Sequence, residues 1–373
     1  MTITPLDDYP LHQAPVPVAH MASADPNHYD RYWFNGYDVE GEWYLGVAMG
    51  VYPNRGIIDA AFSLLRDGTQ ASVFASGRAP LDRRETRIGP ISIEVIEPLR
   101  KNRVRVEAEH LGITADLVWD PRTIAVEEPR QTIVRGMQTM LDTTRFTQWG
   151  TWEGHVRVHG VPLEVNPARN RGTKDRSWGV RPVGDQVTTA PSTTMPGIFF
   201  LWSPVHWEDR CTHAMIFERP DGSRYVSSAA SVPVLEEGEP AWGAEERVVH
   251  ALEPQYKLRW RSGTRRIEEV SFTFTYPDGH SEEFTYEPLL DFQMKGLGYT
   301  HPEWGHGRWH GEYAEGSDCW KSSELDLTDI TNFHCQQVCR VRSGEQMGVG
   351  VVEQLAIGPH APTGLSDFMG GAP

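Results

Sequence analysis

Hydrophobic and polar residues alternate with a period of two along several stretches of the chain. In ISIEVIE, Ile91, Ile93 and Val95 share one face. In RVRVEAE, Val104, Val106 and Ala108 stand opposite Arg105, Glu107 and Glu109. ITADLVW and VSFTFTY repeat the pattern with Ile113, Ala115, Leu117 and Trp119, and with Val270, Phe272, Phe274 and Tyr276. Successive side chains of a strand point to opposite faces, so this alternation predicts half-buried strands. The turn chemistry agrees. Asp67-Gly68, Asp221-Gly222 and Asp278-Gly279 separate strand-like runs, and Asp-Gly supplies the positive φ that a tight hairpin demands. Helical periodicity is scarce. The one stretch with a helical look, RQTIVRGMQTML, carries Thr132, Ile133 and Val134 and is read as a strand. Many short strands with regular turns predict an all-β protein, a sandwich or barrel.

At 373 residues the chain can form one large core or two ordinary domains. Residues 1–28 are rich in proline, alanine and aspartate and read as an N-terminal arm. A loop-like stretch at 183–197 then suggests a division into 29–190 and 191–373; a second polar stretch lies near 235–246. The formal charge of -16 argues against nucleic acid and against an anionic membrane surface, both of which need a basic face. No run of about 18 apolar residues predicts a membrane span. The opening MTITPLDDYPLHQAP lacks a basic region followed by an apolar one, so no signal peptide is read. The cysteines are Cys211, Cys319, Cys335 and Cys339, too few and too late for a disulfide framework, and a cytoplasmic location is expected. Cys335 and Cys339 would share one face of a strand as core residues, and no metal site is predicted.

The densest chemistry lies in TKDRSWGVRP, residues 173–182, where Asp175, Arg176 and Trp178 stand almost side by side. This stretch resembles the Asp-His-x-Trp-Gly motif of the AttH-like and carotenoid 1,2-hydratase superfamily, which is lipocalin-like and includes tocopherol-cyclase-like proteins. Asp175, Trp178 and Gly179 match the motif. RYWFNGYDVEGEWYLGVAMGVYPNRG and RFTQWGTWEGHVRVHGVPLEV add to the likeness, which runs over residues 29–360. The resemblance implies two consecutive lipocalin-like antiparallel β-barrel domains with an apolar cavity, and an isoprenoid-like or other apolar ligand. Arg176 stands where the family carries histidine. A guanidinium does not cycle a proton near neutral pH, so a plain copy of the hydratase mechanism is not expected. Arg176 either grips an anionic or carbonyl group of the substrate or pairs with a carboxylate as a structural element.

Proton-transfer groups are also offered by GYTHPEWGHGRWHGEY, residues 298–313, with His301, His306 and His310 among Tyr299, Trp304, Trp309 and Tyr313. Histidine suits proton transfer near neutral pH, and aromatic faces stabilise a developing cation. Just after the motif, FFLWSPVHWEDR adds Trp202 and His206. The expected function is a cofactor-independent lyase, isomerase or cyclase. It would act on an apolar terpenoid or steroid-like molecule by hydration, dehydration, cyclisation or double-bond isomerisation. His301, His306 or His310 would donate the proton, with Asp175 orienting or acting as base. Arg176, Trp178, Trp202, His206, Trp304 and Trp309 would hold the substrate. The competing reading is a lipocalin-like carrier without chemistry, and either is compatible with a homodimer.

Overall fold

A computed structural model describes residues 2–185 and 197–373. Most of the loop read at 183–197 therefore lies outside the described residues. The first half carries β1 (His28–Asp38), β2 (Trp43–Tyr52), β3 (Ile57–Arg66), β4 (Thr69–Arg78), β5 (Arg87–Ile88), β6 (Ile91–Glu97), β7 (Lys101–Ala108), β8 (Ile113–Pro121), β9 (Val126–Arg135), β10 (Gln138–Val158), β11 (Val161–Val165) and β12 (Asn170–Val180). The second carries β13 (Ile198–His206), β14 (Arg210–Glu218), β15 (Arg224–Pro233), β16 (Val249–His250), β17 (Gln255–Trp260), β18 (Ile267–Thr275), β19 (Ser281–Gln293), β20 (Tyr313–Lys321), β21 (Cys335–Ser343) and β22 (Gln346–Ile357). Helical structure among the described residues is limited to short 3₁₀ turns.

Two antiparallel sheets result. The first runs β20-β4-β3-β2-β1-β12-β10-β8-β7-β6-β5, with β9 and β11 also paired to β10; the second runs β16-β15-β14-β13-β22-β21-β19-β18-β17. Each curls around its own apolar cluster. In the first sheet, Ala75 of β4 and Ile91 of β6 belong to one core although their strands lie near opposite ends of the order. In the second, Leu201, Ile216, Phe272, Phe284 and Val352 do the same. The strand β20 crosses from the second half to cap the first sheet, pairing Tyr313 with Gly77 through Lys321 with Thr69. It thereby covers an edge that would otherwise offer unpaired backbone groups.

Predicted alternation and observed burial agree in β7, β8 and β18, where Val104, Leu117 and Phe272 are fully buried. They part at Val95, which is 42% exposed, because the β6 register slips between Val95 and Glu97 where the hairpin ends. Asp67-Gly68 joins β3 to β4 with both residues at positive φ (49° and 69°), the conformation of a two-residue hairpin turn. Cys335 and Cys339 are buried free thiols of β21.

A third cluster lies between the sheets and positions the site. It takes Trp33, Tyr37, Tyr44, Ala48, Ala61 and Phe74 from the outer face of the first sheet. Against them pack Trp202, Met215, Phe292, Val338 and Val351 from the second. Strands such as β2 are consequently buried on both faces, which explains why WYLGVAMGVY reads as an almost unbroken apolar run rather than an alternation.

Candidate active site

The motif lies on β12, between β1 and β10. In register, Trp33, Asp175 and Thr147 stand side by side, and so do Arg31, Ser177 and Arg145. Alternation sends these residues to the face that meets the second sheet. Lys174, Arg176 and Trp178 go to the opposite face, with Tyr32 and Phe146. Asp175 and Arg176 therefore serve different surroundings. Gly179 closes the motif at φ 129°, and an added Cβ there would lie 2.1 Å from the Asp142 carbonyl oxygen. Only glycine fits that position without displacing β10.

Asp175 is buried, accepts no hydrogen bond among the described residues, and meets one cation: Arg145 Nε stands 3.1 Å from Oδ2. Arg145 is shared, because Glu128 Oε2 lies 3.6 Å from its Nη1. Glu128 is the better served carboxylate. It accepts hydrogen bonds from Thr147 Oγ1 (2.6 Å) and Trp202 Nε1 (3.2 Å), and His213 Nε2 lies 3.5 Å away. Burial alone would raise its pKa, but His213, Arg145 and the two hydrogen bonds outweigh it and hold the carboxyl below its usual range. Asp175 receives the opposite treatment. Burial dominates, Arg145 only partly offsets it, and the charge of Glu128 adds to the rise, so its pKa is pushed up to about 7. One guanidinium between two carboxylates favours ionisation of the one with hydrogen bonds and leaves the other protonatable.

The second sheet and the connecting loop face this pair. Glu353 of β22 accepts from His334 Nε2 and from Gln336 Nε2, both at 2.6 Å. Gln336 Oε1 in turn accepts from Asn35 Nδ2 of β1 (3.0 Å) and Tyr44 OH (2.5 Å), tying the two sheets together. Tyr299 stands edge-on to His334 and His306, each at 4.6 Å between ring centroids, with the Arg31 guanidinium 4.6 Å over its ring. Burial raises the Tyr299 phenol, against Arg31 and Arg181. Trp202 completes the wall, edge-on to Trp33 at 5.8 Å.

The histidines read from the sequence occupy separate surroundings. His306 has Arg31 Nη2 at 3.0 Å, Arg181 Nη2 at 3.2 Å and the Leu297 carbonyl oxygen at 2.8 Å. Burial first, and then the two guanidiniums, push its pKa far down, so the ring is neutral. His301 pins the loop: Nδ1 accepts from the Glu303 and Trp304 amides, and Nε2 meets Asp318 at 2.7 Å. His310 stacks on Trp304 at 4.7 Å, and Trp304 stacks on Phe74. His310, Trp304 and Phe74 border a small cavity of about 10 Å³ together with Asp59, Ser76 and His306. Trp309 is 46% exposed under Arg78. His206 lies elsewhere in the intersheet layer, held by Arg122 and the Gly172 carbonyl, and burial followed by Arg122 and Arg171 pushes its pKa far down. Arg176 pairs with Asp30 at 2.9 Å and covers the Tyr32 ring at 3.7 Å. Trp178 is 39% exposed. Of the residues singled out in the sequence, the structure thus joins Asp175 and Trp202 through Arg145 and Glu128.

Glu128, Arg145, Arg31 and Glu353 are not singled out by the sequence. A signal existed for Glu128: it shares the parity of Val126 and Ile133 borders the same buried stripe, so a carboxylate sat on an apolar face. No cluster of histidine, cysteine, aspartate or glutamate suited to a metal ion occurs among the described residues. No helix among them is long and apolar enough to cross a membrane.

Comparison with known families gives a match over residues 3–366 to a family described as "Family of unknown function (DUF8625)". The chain belongs to that family. No curated protein matches this DUF8625 member. Among solved structures it is similar to kievitone hydratase from Nectria haematococca, with a TM-score of 0.53, 15% identity, and 87% of this chain and 88% of the other covered. An AttH-type protein from Nitrosomonas europaea gives 0.53, 12% identity, and coverage of 88% and 92%. At these identities the likeness is one of fold. The AttH-like, lipocalin-type all-β architecture expected from the motif is the one this chain adopts.

Proposed function

We propose that this protein is a cofactor-independent enzyme that moves a proton on an apolar small molecule, with Asp175 as the proton donor. The reaction class is addition or loss of water, cyclisation or isomerisation at a C=C bond. The observation that carries the reading is the buried carboxyl of Asp175, which accepts no hydrogen bond among the described residues and shares its one ion-pair partner, Arg145, with Glu128; burial pushes its pKa up to about 7. A general acid works best when its pKa lies near the operating pH. Protonation of a C=C bond or a leaving oxygen by Asp175 generates positive charge on the substrate. The faces of Trp33, Trp202 and Tyr299 and the anionic Glu128 would stabilise that charge. The carboxylate left on Asp175 can then take a proton from an added water or from a neighbouring carbon. His306 is not the donor in this scheme, because a neutral imidazole between two guanidiniums holds no acidic proton to give. The similarity of fold to kievitone hydratase supports hydration chemistry as the first class to test.

The test starts with native mass spectrometry of the protein from its own host and identification of any bound molecule. That compound is then incubated with the enzyme in deuterium oxide. Deuterium appearing in the compound with wild type, and falling at least a hundredfold in Asp175→Asn, is the expected result. Binding without deuterium exchange or turnover in wild type would mean a carrier and would overturn the proposal.

A further inference from the structure

The opposite face of β12 carries a second feature that proton transfer at Asp175 does not use. Lys174 is 3% exposed inside the curl of the first sheet. Its ammonium has one hydrogen-bond partner among the described residues, Asn102 Oδ1 at 2.9 Å, and no carboxylate within ion-pair distance. Because Asn102 presents its oxygen to Lys174, its amide nitrogen is left over: Nδ2 is buried without an acceptor among the described residues. Trp119, directly across from Asn102 in the β7/β8 register, likewise has no partner for its buried Nε1–H among the described residues. A spare acceptor, Gln148 Oε1, belongs to the residue across from Lys174 in the β10/β12 register. Its own amide nitrogen is fixed by the Leu99 and Thr123 carbonyls. Buried donors therefore outnumber the one buried acceptor, and a buried ammonium lacks a counter-charge.

Native interiors rarely leave such groups unmatched, since each costs on the order of a lost hydrogen bond and an unpaired charge costs more. The approach is also cationic. Arg176 and Arg83 share the single carboxylate of Asp30, at 2.9 and 3.6 Å. We propose that the concave side of the first sheet is a binding site for a small oxyanion, a carboxylate or phosphate group, gripped by Lys174 Nζ and the Asn102 amide and drawn in past Arg176 and Arg83. An oxyanion supplies the acceptors that Lys174, Asn102 and Trp119 lack, and charge-assisted hydrogen bonds to it are the stronger kind. Burial and the nearby Arg176 lower the Lys174 amine to about 8, which agrees with a cation held without its counter-ion. Lys174 Nζ otherwise stands 5.9 Å from the Phe146 ring centroid, and Arg176 covers the Tyr32 ring at 3.7 Å.

The experiment uses the full chain at pH 7 and constant ionic strength, with sodium phosphate, acetate or benzoate against sodium chloride. At least one oxyanion should raise Tm saturably, by about 3 °C at a hundredfold excess over Kd. A response to phosphate alone identifies inorganic phosphate as the source; a response to benzoate or acetate identifies an organic acid. Lys174→Met should abolish the response. Asn102→Asp supplies an internal carboxylate, so it should be more stable than wild type without added anion and should not respond. If none of the three anions raises Tm above chloride, or if wild type and Asn102→Asp respond alike, the donors are matched by water and the proposal fails. Should Lys174→Met not fold, Asn102→Asp decides alone.

Discussion

Replacing Asp175 by asparagine isolates the central physical claim, because asparagine keeps the shape and removes the titration. Burial pushes the pKa of this carboxyl up from an ordinary 3.8 to about 7, and each tenfold change in proton affinity corresponds to about 1.36 kcal/mol. The folded pKa is raised, so between these two values the native state holds a proton that the unfolded chain has released. The contribution of Asp175 to stability is whole below pH about 3.8, declines as pH rises, and is lost above about 7. The total loss is about 4 kcal/mol. The asparagine variant has no such decline. Its stability relative to wild type should therefore climb by about 4 kcal/mol from pH 4 to pH 8, most of it before pH 7. Urea unfolding followed by tryptophan fluorescence at closely spaced pH values measures this, with Trp33 next to the substituted position. A stability difference that stays flat between pH 5 and 8 would refute the argument. It would mean that Arg145 keeps Asp175 ionised throughout, and with that the assignment of Asp175 as proton donor would fall.

Three further outcomes follow from the same geometry. Glu128→Gln removes the competing carboxylate and gives Arg145 wholly to Asp175, so the midpoint of the Asp175-dependent stability loss should move to lower pH, while overall stability drops by about 3 kcal/mol or more because a buried ion pair is broken; an unmoved midpoint in the same urea series would contradict the sharing of Arg145. Gly179→Ala forces a Cβ against the Asp142 carbonyl at φ 129° and should cost about 2–3 kcal/mol, read as a lower urea midpoint; a neutral substitution would count against the strained position. Cys319 is exposed, whereas Cys211, Cys335 and Cys339 are buried, and burial pushes Cys211 up to about 12. A thiol reagent should therefore modify one cysteine in the native protein and four after denaturation, and rapid native reaction of more than one would contradict the packing of β14 and β21.

Much of the local structure was legible because strand burial imposes a period of two. β7, β8 and β18 could be read directly, and the three Asp-Gly turns marked their hairpins. β2 could not be read this way, since burial on both faces erases the alternation. Asp175 was visible as a site residue, read as a base or orienting group beside a histidine donor, and the two faces of β12 were visible from parity. Which face meets the other sheet was not, because parity separates residues without saying what lies opposite. The histidines at 301, 306 and 310 drew notice by their type; the loop's own hydrogen bonds and the guanidiniums of Arg31 and Arg181 give them their actual environments.

By itself, then, the sequence determined an all-β chain, its hairpins, and the motif Asp175 to Gly179 with its glycine fixed by backbone geometry. Those are consequences of short-range stereochemistry. Only the tertiary structure decided that Glu128, Arg145 and Asp175 meet between two sheets, that Lys174 is enclosed without a carboxylate, and that β20 caps a sheet begun more than two hundred residues earlier. The pKa of a carboxyl depends on the charges and solvent within a few ångströms of it, and for Asp175 those neighbours come from strands far apart in the chain.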